Sequence, residues 1–471
     1  MHIGKNICRG WGLGALLSLG LSSGPVGAAG LSEVWSAVSA HSPEAASALF
    51  AKEAGQHRLE QAQALWLPSV NLGVGAGKMN ASNDLTGAHF AAPGLGASNG
   101  VDFNTSVTGG NASNWVLEIQ QPLLNGQLSA QSAQLKTSST VADLQYAVAK
   151  NTLLLATAQQ YFQWLIQNEQ QRVLDQHWVV VSQLAAQAET RFHLGDVPVL
   201  DMLEAQAQEK SLRAQRALLT HQIQTTQKVL EDATGWPAAQ WARLGKHIRW
   251  VEMAKPADLA TYQNQATLQN LELRLLQAQL ALAQQTRQSH TLEASPSLAL
   301  VARATQQRLD GRGDFGASNS NNKQQYVGLQ LSIPLYSGGM RSAQLAESLS
   351  QIEKLQMDMD ALRTKVAQGV QAQWLGWQTS PDDLAAAQAL LAASQKRFEA
   401  TQLAHQVGDR SWLDVLHAQA DLASAEMNLS NLRLSVLWGQ LSLLGLMGPI
   451  DEGQLQMLDA QFGVDAVQHP S

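Results

Sequence analysis

One cysteine, Cys8, stands in 471 residues. A chain with so little cysteine builds no disulfide framework and offers no thiol chemistry. Charged residues make up only 15%, the formal net charge is −7, and no run of Lys or Arg occurs. Nucleic-acid binding, which needs clustered cations against phosphates, is therefore disfavoured. Beyond the amino-terminal stretch no long uninterrupted apolar run is found. That excludes a helical membrane protein, so any membrane crossing falls to strands. The 12 histidines show no metal-ligand spacing. Enzyme motifs are lacking as well. Gly20-Leu21-Ser22-Ser23-Gly24 has the spacing of a hydrolase elbow without its strand-to-helix context, and the glycines from Gly73 to Gly77 before Lys78 fail both nucleotide-binding spacings. Arg312-Gly313-Asp314 reads as a polar turn. No catalytic, cofactor-binding or metal residues are expected.

What is present starts at the amino end. Lys5 and Arg9 precede an apolar stretch from Trp11 to Leu21, then small residues ending Val26-Gly27-Ala28-Ala29, the layout of a secretory signal peptide (1–28) cleaved after Ala28 or Ala29. Its removal takes two cations, no acid and Cys8, so the net charge moves from −7 to −9.

The rest of the chain repeats itself. Gly195-Asp196-Val197-Pro198-Val199-Leu200-Asp201 aligns with Gly408-Asp409-Arg410-Ser411-Trp412-Leu413-Asp414, and Gly235 with Gly448, at a constant offset of 213. Pro122-Leu123-Leu124-Asn125-Gly126 aligns with Pro334-Leu335-Tyr336-Ser337-Gly338 at 212. Offsets one residue apart mean equal intervening segments, so the chain is a tandem duplication of one structural unit. Within it, 127–194 and 340–407 are expected as long helices. Val141, Leu144, Val148, Leu155, Ala158, Phe162 and Leu165 form a heptad seam in the first, with Asn151 off-pattern. About 67 helical residues at 1.5 Å each would reach roughly 100 Å. In the second, Ser380-Pro381 predicts a kink or restart. Helices are also expected at 198–234, where Lys210 interrupts the register, and at 411–447, which carries the clearest seam.

Apolar and polar residues alternate in four further segments, predicting strands at 68–78, 114–122, 296–305 and 326–335. The Gly-, Asn- and Ser-rich stretches between them, Met79 to Asn114 and Gln306 to Gln325, are expected as exposed loops. Four strands cannot close a barrel, and lipid does not tolerate an open sheet edge. The smallest bacterial barrels have eight strands, so at least two chains must share one.

This order resembles the TolC family of outer-membrane efflux and secretion ducts over essentially the whole mature chain. The resemblance rests on Tyr161-Phe162, on Arg191 to Gly195, on Val327 to Gly339, and on Val407-Gly408-Asp409-Arg410 with Leu413-Asp414-Val415-Leu416. It implies an α+β membrane protein of the Gram-negative cell outer membrane, extending into the periplasm. In that fold a homotrimer shares a 12-stranded barrel continued by a helical tunnel. The repeats would be 29–235 and 263–448, with an equatorial segment at 236–262 and a loose tail at 449–471. Implied partners are a periplasmic adaptor, an inner-membrane pump (ABC or proton-driven) and outer-membrane lipid, without nucleic acid or cofactor.

The resemblance places the periplasmic mouth at the tip turns Gly195 and Gly408. Arg410 falls at the family's link-forming arginine and Asp201 at its partner position, giving a gate clasp. Asp414 matches an aspartate of the entrance ring, which repeated by threefold symmetry would favour cations. The sequence departs from the family pattern at His417, where a second aspartate would stand, and at His405, where the family type has tyrosine. Ring charge would then be lower and pH-dependent near neutrality. Plainer readings stay open: Asp201 and Asp414 as first-turn acids of helices, Arg410, His405 and His417 as solvated surface. Drug efflux and type I secretion fit equally. The alternative to a duct is a periplasmic coiled-coil scaffold or adhesin without a pore, which has no need of the four strands.

Overall fold

The computed structural model describes residues 30–94, 96–243, 248–250, 256–313 and 316–464. The expected leader, its cleavage point and Cys8 lie outside the described residues. The first repeat runs α1 (Leu31–His41), α2 (Pro43–Ala64), β1 (Ser69–Ala92), β2 (Gly96–Asn125), α3 (Gly126–Leu194) and α4 (Val199–Thr234). Between the repeats come α5 (Ala238–Arg243) and β3 (Ile248–Trp250). The second repeat has α6 (Leu259–Gln269), α7 (Leu271–Leu292), β4 (Ser297–Gly313), β5 (Gly316–Ser332), α8 (Met340–Gln406) and α9 (Trp412–Met447), followed by α10 (Glu452–Gln461) and β6 (Phe462–Val464).

Duplication also covers the short helices, in step with the strand openings at Ser69 and Ser297. The bounds of α1, α2 and the start of β1 recur 228 positions later (31 to 259, 41 to 269, 43 to 271, 64 to 292, 69 to 297). Those of α4 recur in α9 213 positions later (199 to 412, 234 to 447). Both short-helix breaks are capped by buried polar residues. Ser42 accepts from the Glu44 and Ala45 amides, while Asn270 accepts from Leu273 N and donates to the Leu446 carbonyl at 2.9 Å.

The four long strands form one antiparallel sheet in the order β1-β2-β4-β5. They run past the expected strand ends. Pairing continues from Lys78↔Asn111 through bulges to Ala92↔Gly96, and from Gln306↔Lys323 to Gly313↔Gly316. The stretches expected as loops are therefore hairpin extensions, mostly polar, with Val107 and Leu309 buried among them. Antiparallel pairing satisfies their backbone groups whatever the side chains, and composition alone does not register it.

Because side chains alternate, the register sets one face. Val70, Ile119, Ala302 and Val327 share a row, Leu72, Leu117 and Ala304 the next, and Val74 and Trp115 the one after. Val70, Leu72, Val74, Val327, Leu329 and Leu331 are all exposed in the single chain. The opposite face is mixed, with small and polar residues beside Val116, Val301, Leu309 and Tyr326, and carries Glu118 paired across the strands with Arg303 at 2.5 Å. Among the described residues no helix is long and apolar enough to cross a membrane.

The helices bury heptad seams. In α4 the buried residues Ala205, Leu212, Leu219 and Thr226 recur every seven positions, and Lys210 lies exposed beside this stripe. The register is thus not interrupted, because one buried position per heptad suffices against α3. Arg216 adds a 2.6 Å ion pair to Asp175 and lies over the Trp178 ring. Asn151, the off-pattern residue of α3, donates to the Gly445 carbonyl and accepts from Ile450 N, tying α3 to the end of α9. The main core gathers α1, mid-α3, the end of α4, α5, α9 and α10 around Trp164, which meets Trp241 edge-on at 5.3 Å.

Two further expectations are corrected. The tail is not loose as far as it is described, to residue 464: α10 buries Leu455 and Leu458 in the main core, and β6 pairs with β3. Asp459 accepts from the Leu31 and Ser32 amides and from Ser32 Oγ, so the carboxy-terminal helix caps α1, whose own N-cap, Gly30, has no side chain to do so. A Cβ at Gly30 would lie 2.4 Å from that carboxyl group. Nor does α8 restart at proline. Pro381 has no N–H for the Trp377 carbonyl four residues back, and Ser380 Oγ donates to that carbonyl instead, at 2.8 Å.

Replacing Ser380 with alanine leaves the half-buried carbonyl unpaired. A loss of about 1 kcal/mol is expected, read as a lower thermal midpoint in detergent by circular dichroism. An unchanged midpoint would show that the carbonyl is satisfied otherwise.

Candidate functional site

Both helical hairpins turn on the same backbone device. Gly195 sits at φ +81° and Gly408 at φ +84°, conformations that cost a side-chain-bearing residue roughly 1–2 kcal/mol. After the first, Asp196 N donates to the Arg191 carbonyl; after the second, Asp409 N donates to the Ala404 carbonyl, both at 2.9 Å. The expected tip turns are thus geometrically equivalent ends of two coiled-coil hairpins.

Their chemistry differs in the next few residues. Helix α9 opens with a capping box: Asp414 Oδ2 accepts from Ser411 N at 3.0 Å and from Ser411 Oγ at 2.8 Å, while Ser411 Oγ accepts from Asp414 N at 3.1 Å. The hydrogen bond from the Ser411 hydroxyl, then that from its amide, hold the Asp414 carboxyl below the usual carboxylate range, with Arg410 and His417 adding to the effect. In the first hairpin the equivalent N-cap is Pro198, which has no side-chain acceptor, and Asp201 makes no side-chain hydrogen bond or ion pair among the described residues.

His405 Nδ1 donates to the Arg410 carbonyl at 2.9 Å, bracing the second turn. Arg410 is exposed, and within one chain it forms no ion pair with Asp201 or Asp414. His417 is exposed three residues beyond Asp414. One turn therefore carries His405, Arg410, Asp414 and His417 together, and Asp201 stands on the other hairpin.

Trp412, which sequence reasoning passed over, joins the two hairpins. It is 7% exposed and packs in one cluster with Val181, Ala185 and Ala188 of α3 and Ala205 and Leu212 of α4. Its repeat counterpart, Val199, is 50% exposed. The signal was available as an unequal pair in the repeat alignment, since a tryptophan facing a valine marks a hairpin end with something to bury. The second hairpin is thereby docked against the first from its opening residue onward.

Among the described residues no group of three or more potential metal ligands occurs. What the tip holds is fixed turns, a preformed carboxylate, and cation and acid on separate hairpins. The far end is a sheet with an apolar outer face.

Known proteins show the same architecture. The family model for outer membrane efflux proteins matches residues 34–236 and 262–449, one stretch per repeat. Outer membrane protein TolC of Salmonella enteritidis is 24% identical over 441 residues, covering 92% of this chain and 84% of that protein. The proteases secretion protein PrtF of Dickeya chrysanthemi is 23% identical over 94% of this chain and 93% of its own length. The crystal structure of the CmeC outer membrane channel of Campylobacter jejuni superposes with a TM-score of 0.69 at 15% identity, covering 92% of this chain and 90% of CmeC. The family model covers both repeats and the fold agrees over nearly the whole chain: the chain belongs to the outer membrane efflux protein family, that of TolC, and is an exit duct of the Gram-negative outer membrane that extends into the periplasm.

Proposed function

We propose that three copies of this chain form one duct that passively conducts small molecules or unfolded polypeptide, delivered by a periplasmic adaptor and an inner-membrane pump that supply the energy. The observation that carries this reading is the junction of sheet and helix. Strand β2 ends at Asn125 and α3 starts at Gly126, so the lipid-facing sheet passes into a 69-residue helix with no linker. Helices of this length reach roughly 100 Å, so barrel and tunnel make one continuous tube. The name of the relative PrtF, a protease secretion protein, supports polypeptide as one cargo class.

At the mouth, Asp201 and Arg410 act as the clasp. Both are charged, both sit by the tip turns, and neither has an ion-pair partner inside the chain, which leaves them available to each other across hairpins. Asp414, with His417 and His405 beside it, forms the entrance ring. Its capping box fixes the carboxylate position and keeps it ionised, and threefold repetition concentrates negative charge on the axis. Trp412 positions the ring by holding α9 against α3 and α4.

The clasp is tested by single-channel conductance in planar bilayers. A small wild-type conductance that rises several-fold in Arg410→Ser is expected; equal conductances would remove the clasp while keeping the duct, and no conductance from a folded trimer in either would remove the duct.

The ring is tested by pH. A carboxyl whose pKa is lowered by folding contributes stability above its unfolded value, near 3.9, and loses it as pH falls through the lowered value. Ser411→Ala removes the largest cause of the lowering. Cation preference, read as reversal potential in a salt gradient, is therefore lost at higher pH in Ser411→Ala than in wild type. Superimposable pH profiles would contradict the assignment.

A further inference from the structure

The outer face of the sheet changes character abruptly toward its hairpin ends. Three successive same-face rows lie above the apolar rows: Val74, Trp115, Gln306 and Lys323; then Ala76, Ser113, Arg308 and Asn321; then Lys78, Asn111, Asp310 and Asn319. Trp115 stands at the boundary and donates from Nε1 to Gln306 Oε1 at 3.2 Å, as an amphipathic ring at a membrane interface does. The charges in these rows are Lys323, Arg308, Lys78 and Asp310, and Asp310 is held by Arg308 at 3.1 Å. Lys78 and Lys323 are exposed on the two outermost strands, without an ion-pair partner among the described residues. At the opposite end, where the strands meet the helices, 66–70, 119–125, 297–300 and 329–336 contain no Lys or Arg. On this face the cations are thus confined to the end of the sheet remote from the periplasmic helices, above the apolar rows, whereas Arg303 lies on the other face.

We propose that Lys78, Arg308 and Lys323 form a basic collar that binds the phosphates of a phosphorylated lipid in the outer leaflet of the outer membrane. This rests on the barrel reading above. Two features select a lipid over a soluble anion. The cations border the surface that lipid chains cover, and strand-to-strand spacing of about 4.8 Å with two-residue steps of about 6.8 Å puts Arg308 about 8 Å from Lys323 and about 12 Å from Lys78, with the two lysines about 20 Å apart, so the three span more phosphates than one small soluble anion carries. Pairing β5 of one copy with β1 of the next brings Lys323 toward the neighbour's strand carrying Lys78, so the collar runs round the barrel. Each cation near an anionic membrane surface strengthens attachment, and the attraction is screened by salt.

The test uses the purified trimer in a neutral detergent with bisphosphorylated lipid A as probe, binding being read by native mass spectrometry at two ionic strengths. Variants are the triple Lys78→Gln, Arg308→Gln, Lys323→Gln and a charge-removing control on α8, Lys365→Gln with Lys396→Gln. Single-channel conductance is measured on every preparation. Binding is expected to weaken about tenfold or more in the triple variant, to be unchanged in the control, and to be equally weak for wild type with dephosphorylated lipid A. A triple variant that binds as wild type does, or tight binding of the dephosphorylated lipid, would overturn the collar. Full competition by millimolar inorganic phosphate would overturn its assignment to a lipid. If the triple variant neither conducts nor stays trimeric, the three single variants, read the same way, decide. Wild-type protein that forms no conducting trimer would instead remove the barrel on which the collar rests.

Discussion

Everything in this molecule follows from the hydrogen bonds that its sheet leaves unmade. Four strands in the order β1-β2-β4-β5 expose the backbone edges of β1 and β5, while their apolar face demands lipid. In hydrocarbon each unpaired backbone group costs several kcal/mol, so the edges must find each other in other copies of the chain. That requirement fixes a closed tube, and the direct passage of β2 into α3 carries the tube into the periplasm.

Duplication then supplies the helical wall, and small inequalities between the copies give its two hairpin ends different chemistry. Both hairpins end on left-handed glycines with the same backbone bonds, yet one opens with Pro198 and an exposed Val199, the other with a Ser411–Asp414 box and a buried Trp412. A symmetric repeat would give six equivalent ends per trimer. Unequal ends give one hairpin of each chain that is anchored and bears fixed charge, and one that presents Asp201 without a partner. After the second repeat, α10 packs back on the main core by burying Leu455 and Leu458 and capping α1 through Asp459.

Much of this was legible in the sequence where the signal was periodic. The offset of 213 located α4 and α9 end to end, the heptads marked α3 and α9, and alternation found the apolar halves of all four strands. Legibility failed where structure rests on backbone pairing or on contacts remote in sequence. The polar hairpin extensions carry no apolar period, although their ladders continue to Ala92 and Gly313. Pro381 looked like a break because the repair comes from its neighbour's hydroxyl. The role of α10 depends on Asp459 meeting residues more than four hundred positions earlier. At the hairpin ends, both turns could be read from glycine and helix ends, whereas the anchoring role of Trp412 needed the packing of α3 and α4 around it.

The central requirement is that the open edges close between copies, and it is open to a direct measurement. The only cysteine, Cys8, lies in the leader expected to be removed, so cysteines introduced singly along the outer edges of β1 and β5 and combined in pairs report on those edges alone. Oxidation in native outer membranes should yield, for pairs in register, a ladder of one, two and three chains that stops at three, while pairs one residue out of register, facing opposite sides, stay uncrosslinked. A chain that remains monomeric for every pair, or a ladder that continues past three, would contradict a shared closed barrel.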